Sequence, residues 1–343
     1  MHAQAIFHTA PEKVEIAELE LPPLANDQVL VATRYSAISP GTEAMIYRGS
    51  MPLDLPLDDN ITSLTGTFDY PFRYGYTLVG RIVECGANID PVWIDRLVFV
   101  FHPHQNLLVV RLQECFPVPT ELGAESALFL PNMESALNFV MDAKPVIGYC
   151  VGVFGLGVVG LLCTALLSEI ALTELIAVDT LHYRRGKAME MGASSVQDPN
   201  NSEQWNDLKA RLSKRPEPNG LDIAFELSGN MDALNRAIEL TGFAGKIVIG
   251  SWYGNQSNPI DLGGRFHRSR IRLISSQVSS IDPQLSARWT KARRLQLAWS
   301  MIKHINPESL ITHRLKFSEY ETAFRINADK TQNVLQTIFE YPA

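Results

Sequence analysis

A glycine-rich run between a strand and a helix carries the most specific chemistry in the sequence. Gly155, Gly157 and Gly160 follow the apolar segment 151–154 and open a predicted helix of small and apolar residues over 157–169. In a G-x-G-x-x-G motif the first glycine allows a tight turn, the second lets a phosphate approach the backbone, and the third lets helix and strand pack closely. The pattern predicts that a pyrophosphate binds to backbone N–H groups of the loop Gly155-Leu156-Gly157-Val158-Val159-Gly160.

An acidic residue at the end of the next predicted strand indicates a dinucleotide. Asp179 closes the segment 175–179, roughly 20 residues after the first glycine, where a carboxylate accepts hydrogen bonds from the adenine ribose. Because a carboxylate there repels a 2′-phosphate, we expect NAD; NADP is the alternative, since Arg184 and Arg185 follow on the next helix. We include Arg184 in the predicted cofactor site. Three residues at the ends of later strands complete it: Ser228, Gly250 and Gln277.

Two histidines and a basic cluster are further candidates for chemistry. His102 and His104 lie two apart on a segment predicted to be extended, so their side chains share a face. They are either catalytic residues or polar residues of a surface loop. Before the predicted strand 271–277 lie the basic residues Arg265, His267, Arg268, Arg270 and Arg272. Placed near the nicotinamide end, they would meet an acidic substrate; otherwise they form a solvated or subunit-contacting loop.

The elements that position these residues change character after Pro145. Short strands separated by turns precede it, whereas strands alternating with helices follow it, which is typical of βαβ units. We therefore predict an α/β fold, a Rossmann doubly wound parallel sheet plus a β-rich catalytic domain. The predicted boundaries are 1–145 for the catalytic domain, 146–285 for the dinucleotide-binding domain and 286–343 for a segment returning to the first. The Pro- and Asp-rich segment 51–60 is expected to be an exposed loop.

Composition restricts the partners. The chain has 343 residues, 46% of them hydrophobic, and a net charge of −7, which argues against nucleic acid and anionic membranes as partners. No apolar run reaches the ~20 residues that span a bilayer, and the N-terminus lacks the pattern of an export signal. We expect a cytoplasmic protein with a small-molecule substrate. The four cysteines, none in a C-x-x-C pair, are expected to be buried thiols.

A homodimer is expected from the last strand of the predicted parallel sheet. Residues 271–278 contain no proline and one charge, and no further strand is predicted before the helix 289–304. An unpaired edge of this kind invites pairing with a second copy about a two-fold axis. In the alternative, the loop 251–264 covers the edge of a monomer.

The arrangement resembles the medium-chain dehydrogenase/reductase family over nearly the whole chain. Residues 36–43 resemble the family's S-G-I-C-G-T-D segment, and residues 75–86 resemble its G-H-E-x-x-G segment. Residues 225–230 and 245–250 resemble its later Rossmann strands, and 311–314 its return strand. The resemblance implies a GroES-like catalytic domain and hydride transfer between a nicotinamide cofactor and an alcohol.

The family's zinc ligands are replaced in this sequence. Ser39 or Pro40 stands in the cysteine slot, Tyr76 in the histidine slot and Thr77 beside it. The region of a third ligand reads Leu-Pro-Asn-Met-Glu over 130–134, and the four-cysteine lobe of the structural metal is missing. Because zinc sites need convergent Cys, His or carboxylate side chains, we expect no zinc.

The resemblance assigns roles to hydroxyl groups instead. Thr42 corresponds to the family's proton-relay hydroxyl, and Glu43 to a residue that braces the cleft. Tyr76 is either catalytic or a tyrosine of the cleft wall. Residues 275–279 and 288–290 further resemble a bacterial branch related to bacteriochlorophyllide dehydrogenase, whose members oxidise a hydroxyethyl group on a tetrapyrrole.

The leading hypothesis is a zinc-independent alcohol/ketone oxidoreductase that uses NAD(H), with Thr42, Tyr76, His102 and His104 as candidate catalytic residues. One alternative is an NADPH-dependent quinone or enone reductase. The other is a dinucleotide-binding sensor or scaffold without turnover. The sequence does not name the substrate.

Overall fold

A computed structural model describes residues 1–329 and 331–342 as two compact units. The first unit comprises Met1–Pro131 and Trp299–Ala343, and the second comprises Asn132–Ala298. Both divisions differ from the boundaries predicted at 145 and 285. The helix Leu130–Ala143 falls mostly in the second unit, because its residues pack with the parallel sheet there.

The described elements follow each other along the chain with short connections. The strands are β1 (His2–Ala10), β2 (Lys13–Glu20), β3 (Gln28–Ile38), β4 (Leu78–Cys85), β5 (Leu97–Val100), β6 (Leu107–Arg111), β7 (Cys115–Pro117), β8 (Cys150–Phe154), β9 (Glu174–Val178), β10 (Ser195–Gln197), β11 (Leu221–Glu226), β12 (Thr241–Ile249), β13 (Arg272–Ser275), β14 (Ile311–Lys316) and β15 (Gln336–Glu340). The α-helices are α1 (Thr42–Tyr47), α2 (Ala124–Ala127), α3 (Leu130–Ala143), α4 (Val158–Ser168), α5 (His182–Glu190), α6 (Ser202–Ser213), α7 (Met231–Leu240), α8 (Lys291–Ile305) and α9 (Tyr320–Ala328).

The first unit is built on a mainly antiparallel sheet. Its strand order is β14-β15-β3-β4-β5-β7, with β6 paired to β3, and β1 and β2 form a separate hairpin. Alternating β-branched and apolar residues of β3, β4 and β5 bury one face, as expected for strands of period two. The C-terminal strands β14 and β15 extend this sheet, so the end of the chain belongs to the first unit.

The second unit is a doubly wound parallel sheet with strand order β10-β9-β8-β11-β12-β13. The order reverses between β8 and β11, and in such sheets ligands bind beyond the carboxyl ends of the strands at that point. β8 is buried along its whole length. The predicted fold class, a Rossmann sheet plus a β-rich domain, is confirmed.

The segment 51–60 is not simply the exposed loop that its composition indicates. Met51 and Leu57 are buried at 3% and 5% exposure, and they pack with Phe68 and Phe72 in a small core. The prediction was wrong for these apolar side chains, because proline and aspartate in the segment obscure them. Among the described residues, no helix is long and apolar enough to cross a membrane.

His8 is buried in an aromatic cluster of the first unit. Its ring stacks on Phe72 at 5.2 Å and meets the edge of Phe324, and neither ring nitrogen has a hydrogen-bond partner in the described chain. Burial, together with the nearby His104, lowers the pKa of His8 from 6.5 to about 3. The folded state therefore favours the neutral ring.

We expect folding stability to fall as the pH drops below 6.5, because the unfolded chain takes up a proton on His8 that the folded chain refuses. At pH 5.5 this amounts to about 1.4 kcal/mol from this histidine. The change His8→Phe should remove that part of the dependence while keeping the stacked ring. Denaturant unfolding at pH 8 and pH 5.5 measures it, with His182→Phe at an exposed position as the control. An unchanged pH dependence in His8→Phe contradicts the assignment.

Candidate active site

The glycine loop lies between β8 and α4, in the local structure that the sequence predicts. β8 ends at Phe154, Gly155 has φ of +93°, and Gly157 is the N-cap of α4. A Cβ atom on Gly155 would lie 2.5 Å from the backbone nitrogen of Ser228. A Cβ atom on Gly160 would lie 1.9 Å from the carbonyl oxygen of Gly155. Packing within this unit therefore requires the first and third glycines.

The second glycine, Gly157, faces open space instead. A Cβ atom there would have no heavy atom within 4 Å, and the φ of −68° suits any residue. No side chain of the described residues caps α4 at this end. First-turn N–H groups, here those of Val158, Val159 and Gly160, have no acceptor within their own helix. The loop thus fits the pyrophosphate of a dinucleotide.

Asp179 is fixed against this loop by backbone hydrogen bonds. It follows β9 directly, and only 7% of it is exposed. Its Oδ2 accepts the N–H of Leu156 at 2.8 Å, and its Oδ1 accepts the N–H of Leu181 at 2.9 Å. A carboxylate has about four lone-pair sites, so both oxygens can accept further donors. The arrangement suits the hydroxyl groups of an adenine ribose.

The two arginines of α5 differ in what they contact. Arg185 donates to the carbonyl oxygens of Asp179 and Thr180 at 2.8 and 2.9 Å, and it pairs with Asp198 at 3.2 Å. It therefore holds the start of α5. Arg184 lies beside the Asp179 carboxylate, with Nη1 3.9 Å from Oδ2 and 24% of its side chain exposed. It is the arginine that bears on the choice between NAD and NADP.

The remaining predicted cofactor residues follow the carboxyl ends of β11, β12 and β13. Ser228 comes two residues after β11, and its amide donates to Glu226 at 2.9 Å. Gly250 follows β12, where a Cβ atom would lie 2.5 Å from the ring of Phe139. Gln277 is exposed beyond β13, and its side chain bonds Ser279. All three lie at the edge of the sheet where dinucleotides bind.

The basic cluster lies at the opposite edge of the sheet. Its members precede β13, and Arg265 donates to the carbonyl oxygen of Thr241, the first residue of β12, at 2.8 Å. The cluster therefore stands at the amino ends of the strands. Its placement near the nicotinamide end was wrong, because the sequence order before a strand was not converted into the strand's direction.

A group of hydroxyl side chains forms around Tyr76 in the first unit. The phenol of Tyr76 donates to Ser39 Oγ at 2.6 Å, and the hydroxyl of Thr42 also hydrogen-bonds it. Burial raises the pKa of Tyr76 to about 12, so the phenol is protonated at neutral pH. Ser39 is a functional candidate that the sequence interpretation did not include. Its position in the family's cysteine slot was the available signal.

His104 is held inside the first unit, below this hydroxyl group. It is fully buried, its Nδ1 lies 2.8 Å from Ser36 Oγ, and its Nε2 lies 2.8 Å from Glu43 Oε2. The other oxygen of Glu43 accepts the backbone N–H of Ser39 at 2.7 Å. Ser36 Oγ in turn lies 2.9 Å from the phenol oxygen of Tyr341. With both ring nitrogens engaged, His104 acts on the site through Glu43 and Ser39.

His102 is also buried, at 8% exposure, so neither histidine belongs to a surface loop. Its Nδ1 lies 3.0 Å from the carbonyl oxygen of Pro103. Burial lowers the pKa of His102 to about 4, which makes the ring neutral at pH 7. The structure does not join His102 to the hydrogen bonds around Tyr76.

The side chains at the family's zinc positions do not fit a zinc ion. Ser39 and Tyr76 supply neutral hydroxyl oxygens rather than thiolate, imidazole or carboxylate donors. The nearby carboxylate of Glu43 is already hydrogen-bonded to His104 and the Ser39 amide. Across residues 1–329 and 331–342, no group of three or more His, Cys, Asp or Glu side chains is placed to hold a metal. We route no chemistry through a metal.

Comparison with known proteins gives concordant similarities. A family model described as "Zinc-binding dehydrogenase" matches residues 158–296. The chain is 23% identical to D-guloside 3-dehydrogenase of Escherichia coli over 94% of its own length and 95% of that enzyme. It is 29% identical to (R,R)-butanediol dehydrogenase of Bacillus subtilis over 73% and 78% of the two chains. The crystal structure of 2R,3R-butanediol dehydrogenase from Bacillus subtilis covers 99% of this chain with a TM-score of 0.77 at 20% identity.

The contrast between the glycines yields a sharp test of the loop. We expect Gly157→Ala to keep the melting temperature, since its methyl group meets open space, but to weaken NADH binding at least tenfold, or ~1.4 kcal/mol. Fluorescence titration with NADH measures the affinity. Gly186→Ala, at a position on α5 with equally open surroundings, is the control and should bind NADH normally. Equal affinity in Gly157→Ala would remove the pyrophosphate from this loop.

Proposed function

The zinc-binding dehydrogenase family, whose model matches residues 158–296, is the family of this nicotinamide-dependent oxidoreductase, and we propose that it interconverts an alcohol and a ketone or aldehyde with NAD(H) and without zinc. The main support is the hydroxyl group Thr42–Tyr76–Ser39, found where the family's metal ligands would stand. The glycine loop and Asp179 support NAD as the hydride carrier.

The proposed substrate is a small molecule that carries an oxidisable hydroxyl group. Similar proteins are named for their action on D-gulosides, L-idonate and butanediol. A panel of sugar derivatives, diols, simple ketones, quinones and enones tests the proposal by steady-state change in NADH. Oxidation of an alcohol supports it. Activity confined to quinones or enones with NADPH would favour the reductase alternative, and no turnover would favour a binding protein. The resemblance to the bacteriochlorophyllide branch stays a prediction.

The hydroxyl groups of the first unit provide a route for the proton. A bound nicotinamide supplies the acceptor or donor of the hydride. Because Tyr76 donates to Ser39, the hydrogen of the Ser39 hydroxyl is free to point toward a substrate oxygen. When a ketone is reduced, Ser39 gives that proton, Tyr76 replaces it, and Thr42 replaces the proton of Tyr76. Oxidation of the alcohol runs the same transfers backward.

Glu43 and His104 position this relay. The carboxylate of Glu43 accepts the Ser39 amide at 2.7 Å and so fixes the backbone that carries the hydroxyl. His104 holds the other carboxylate oxygen, and Gly75 makes room for the ring, since a Cβ atom on it would lie 2.9 Å from His104. We therefore propose that His104 is a positioning residue and that Thr42, Tyr76 and Ser39 exchange protons with the substrate.

We expect NADH to bind at least tenfold more tightly than NADPH, a difference of ~1.4 kcal/mol, because Asp179 repels a 2′-phosphate. Titration of nicotinamide fluorescence measures both affinities. Asp179→Asn should weaken NADH binding and narrow the preference. Arg184→Gln is the matched variant and should widen the preference, since it removes the nearby positive charge. Equal affinities for both cofactors in the wild type would contradict the role of Asp179.

Tyr76→Phe and Thr42→Ala should each lower turnover by roughly 10²–10⁴ while cofactor affinity stays unchanged, because each interrupts proton transfer. Turnover with the best alcohol from the panel measures the effect. Tyr70→Phe, a change in the same aromatic cluster, is the control and should be as active as wild type. Wild-type rates in both variants would move the chemistry elsewhere. Loss of wild-type activity on treatment with a chelator would contradict zinc independence.

A homodimer through the edge of the parallel sheet is also proposed. β13 is the last strand in the sheet order, and its Leu273 and Ile274 are half-buried in the single chain. We expect light scattering at micromolar concentration to give twice the 38.2 kDa of one chain. Ile274→Pro should yield monomers that keep the glycine loop, because proline removes a donor from the strand. A wild-type mass near 38.2 kDa would refute the dimer.

A further inference from the structure

A fully buried carboxylate lies at the carboxyl end of β11. Glu226 is the last residue of that strand and has no exposed surface. A buried charge is costly unless hydrogen bonds compensate it. Its surroundings therefore show what the fold uses it for.

Four donors surround the Glu226 carboxylate. Oε1 accepts the amide of Ser228 at 2.9 Å and also its hydroxyl, and Oε2 accepts the hydroxyl of Ser251 and that of Tyr253, the latter at 2.6 Å. The Ser228 hydroxyl itself accepts the N–H of Asn230 at 3.1 Å, so its own hydrogen is directed at Glu226. All four contacts are donors, as an ionised carboxylate requires.

The charge of Glu226 is compensated by neutral groups only. Among the ion pairs of the described residues, none includes Glu226, and its hydrogen-bond partners are one amide and three hydroxyls. Burial and the charge of Glu226 both raise the pKa of Tyr253, which keeps that phenol protonated. The site therefore keeps a net negative charge inside the unit.

This charge lies beside the glycine loop, on the side away from Asp179. β8 separates β9, which leads to Asp179, from β11, which leads to Glu226. A Cβ atom on Gly155 would lie 2.5 Å from the Ser228 amide nitrogen, so the ring of donors around Glu226 adjoins the loop. In a doubly wound sheet a dinucleotide spans the crevice at this reversal of strand order. With its adenine ribose at Asp179, its nicotinamide half lies on the β11 side.

We infer that Glu226 is a buried counter-charge that favours the oxidised, cationic nicotinamide over the reduced, neutral one. This rests on the proposed binding of NAD(H) to the glycine loop. NAD⁺ and NADH share their adenine and pyrophosphate, so the unit charge on the ring is what Glu226 distinguishes. A negative charge in a low-dielectric interior acts strongly on such a difference. The enzyme thereby holds NAD⁺ more readily, which suits a dehydrogenase that oxidises alcohols.

Glu226→Gln tests the inference because it keeps the shape of the side chain and removes the charge. Calorimetric titration at pH 8 gives the Kd of NAD⁺ and of NADH for each protein. We expect the ratio Kd(NAD⁺)/Kd(NADH) to rise about fivefold in Glu226→Gln. Asp179→Asn is the matched control: it weakens the shared adenine half, so both Kd values rise and their ratio stays constant. A ratio in Glu226→Gln within twofold of wild type would overturn the inference.

A second variant keeps the inference testable if Glu226→Gln fails to fold. Tyr253→Phe removes one donor and leaves the carboxylate less compensated, so the ratio should fall below the wild-type value. An unchanged or raised ratio there would count against the counter-charge. Wild-type protein that binds neither NAD⁺ nor NADH would instead refute the proposed function, and so the two failures are distinguishable.

Discussion

Close approach of the β8–α4 turn to its neighbours is the constraint on which the second unit depends. The carbonyl of Gly155 lies where a side chain at position 160 would be, and the Ser228 amide lies where a side chain at position 155 would be. Only glycine permits both approaches, and they bring the N-terminus of α4, the end of β9 and the end of β11 together. A strand–helix turn with free N–H groups then stands between two carboxylates, Asp179 and Glu226.

The two carboxylates are compensated by different means and serve different ends. Asp179 is bound by two backbone amides and has an arginine at 3.9 Å, so its specificity depends on a balance of local charges. Glu226 is bound by an amide and three hydroxyls and has no exposed surface. Hydroxyl donors satisfy its lone pairs without cancelling its charge. A buried field of this kind acts on charge differences in a bound molecule.

In the first unit, hydrogen-bonded side chains replace what a metal provides in zinc-dependent relatives. A metal would fix the substrate oxygen and lower the cost of charge on it. Here Glu43 and His104 fix the backbone of Ser39, and Tyr76 supplies a protonated phenol. The sheet carries this arrangement because β3 and its extension by β15 bring Ser36 and Tyr341, from opposite ends of the chain, within 2.9 Å.

The sequence by itself determined the Rossmann sheet, the glycine loop and the placement of Asp179, because each depends on neighbours close in the chain. It also indicated the replaced zinc positions. Only the tertiary structure decided that His104 is an internal brace, that Ser39 joins Tyr76, and that the basic cluster lies at the amino edge of the sheet. Glu226 read as an ordinary strand residue, since its donors Ser251 and Tyr253 come from the next strand's end. Contacts between distant segments leave no local pattern, and that is the physical reason the sequence did not show them.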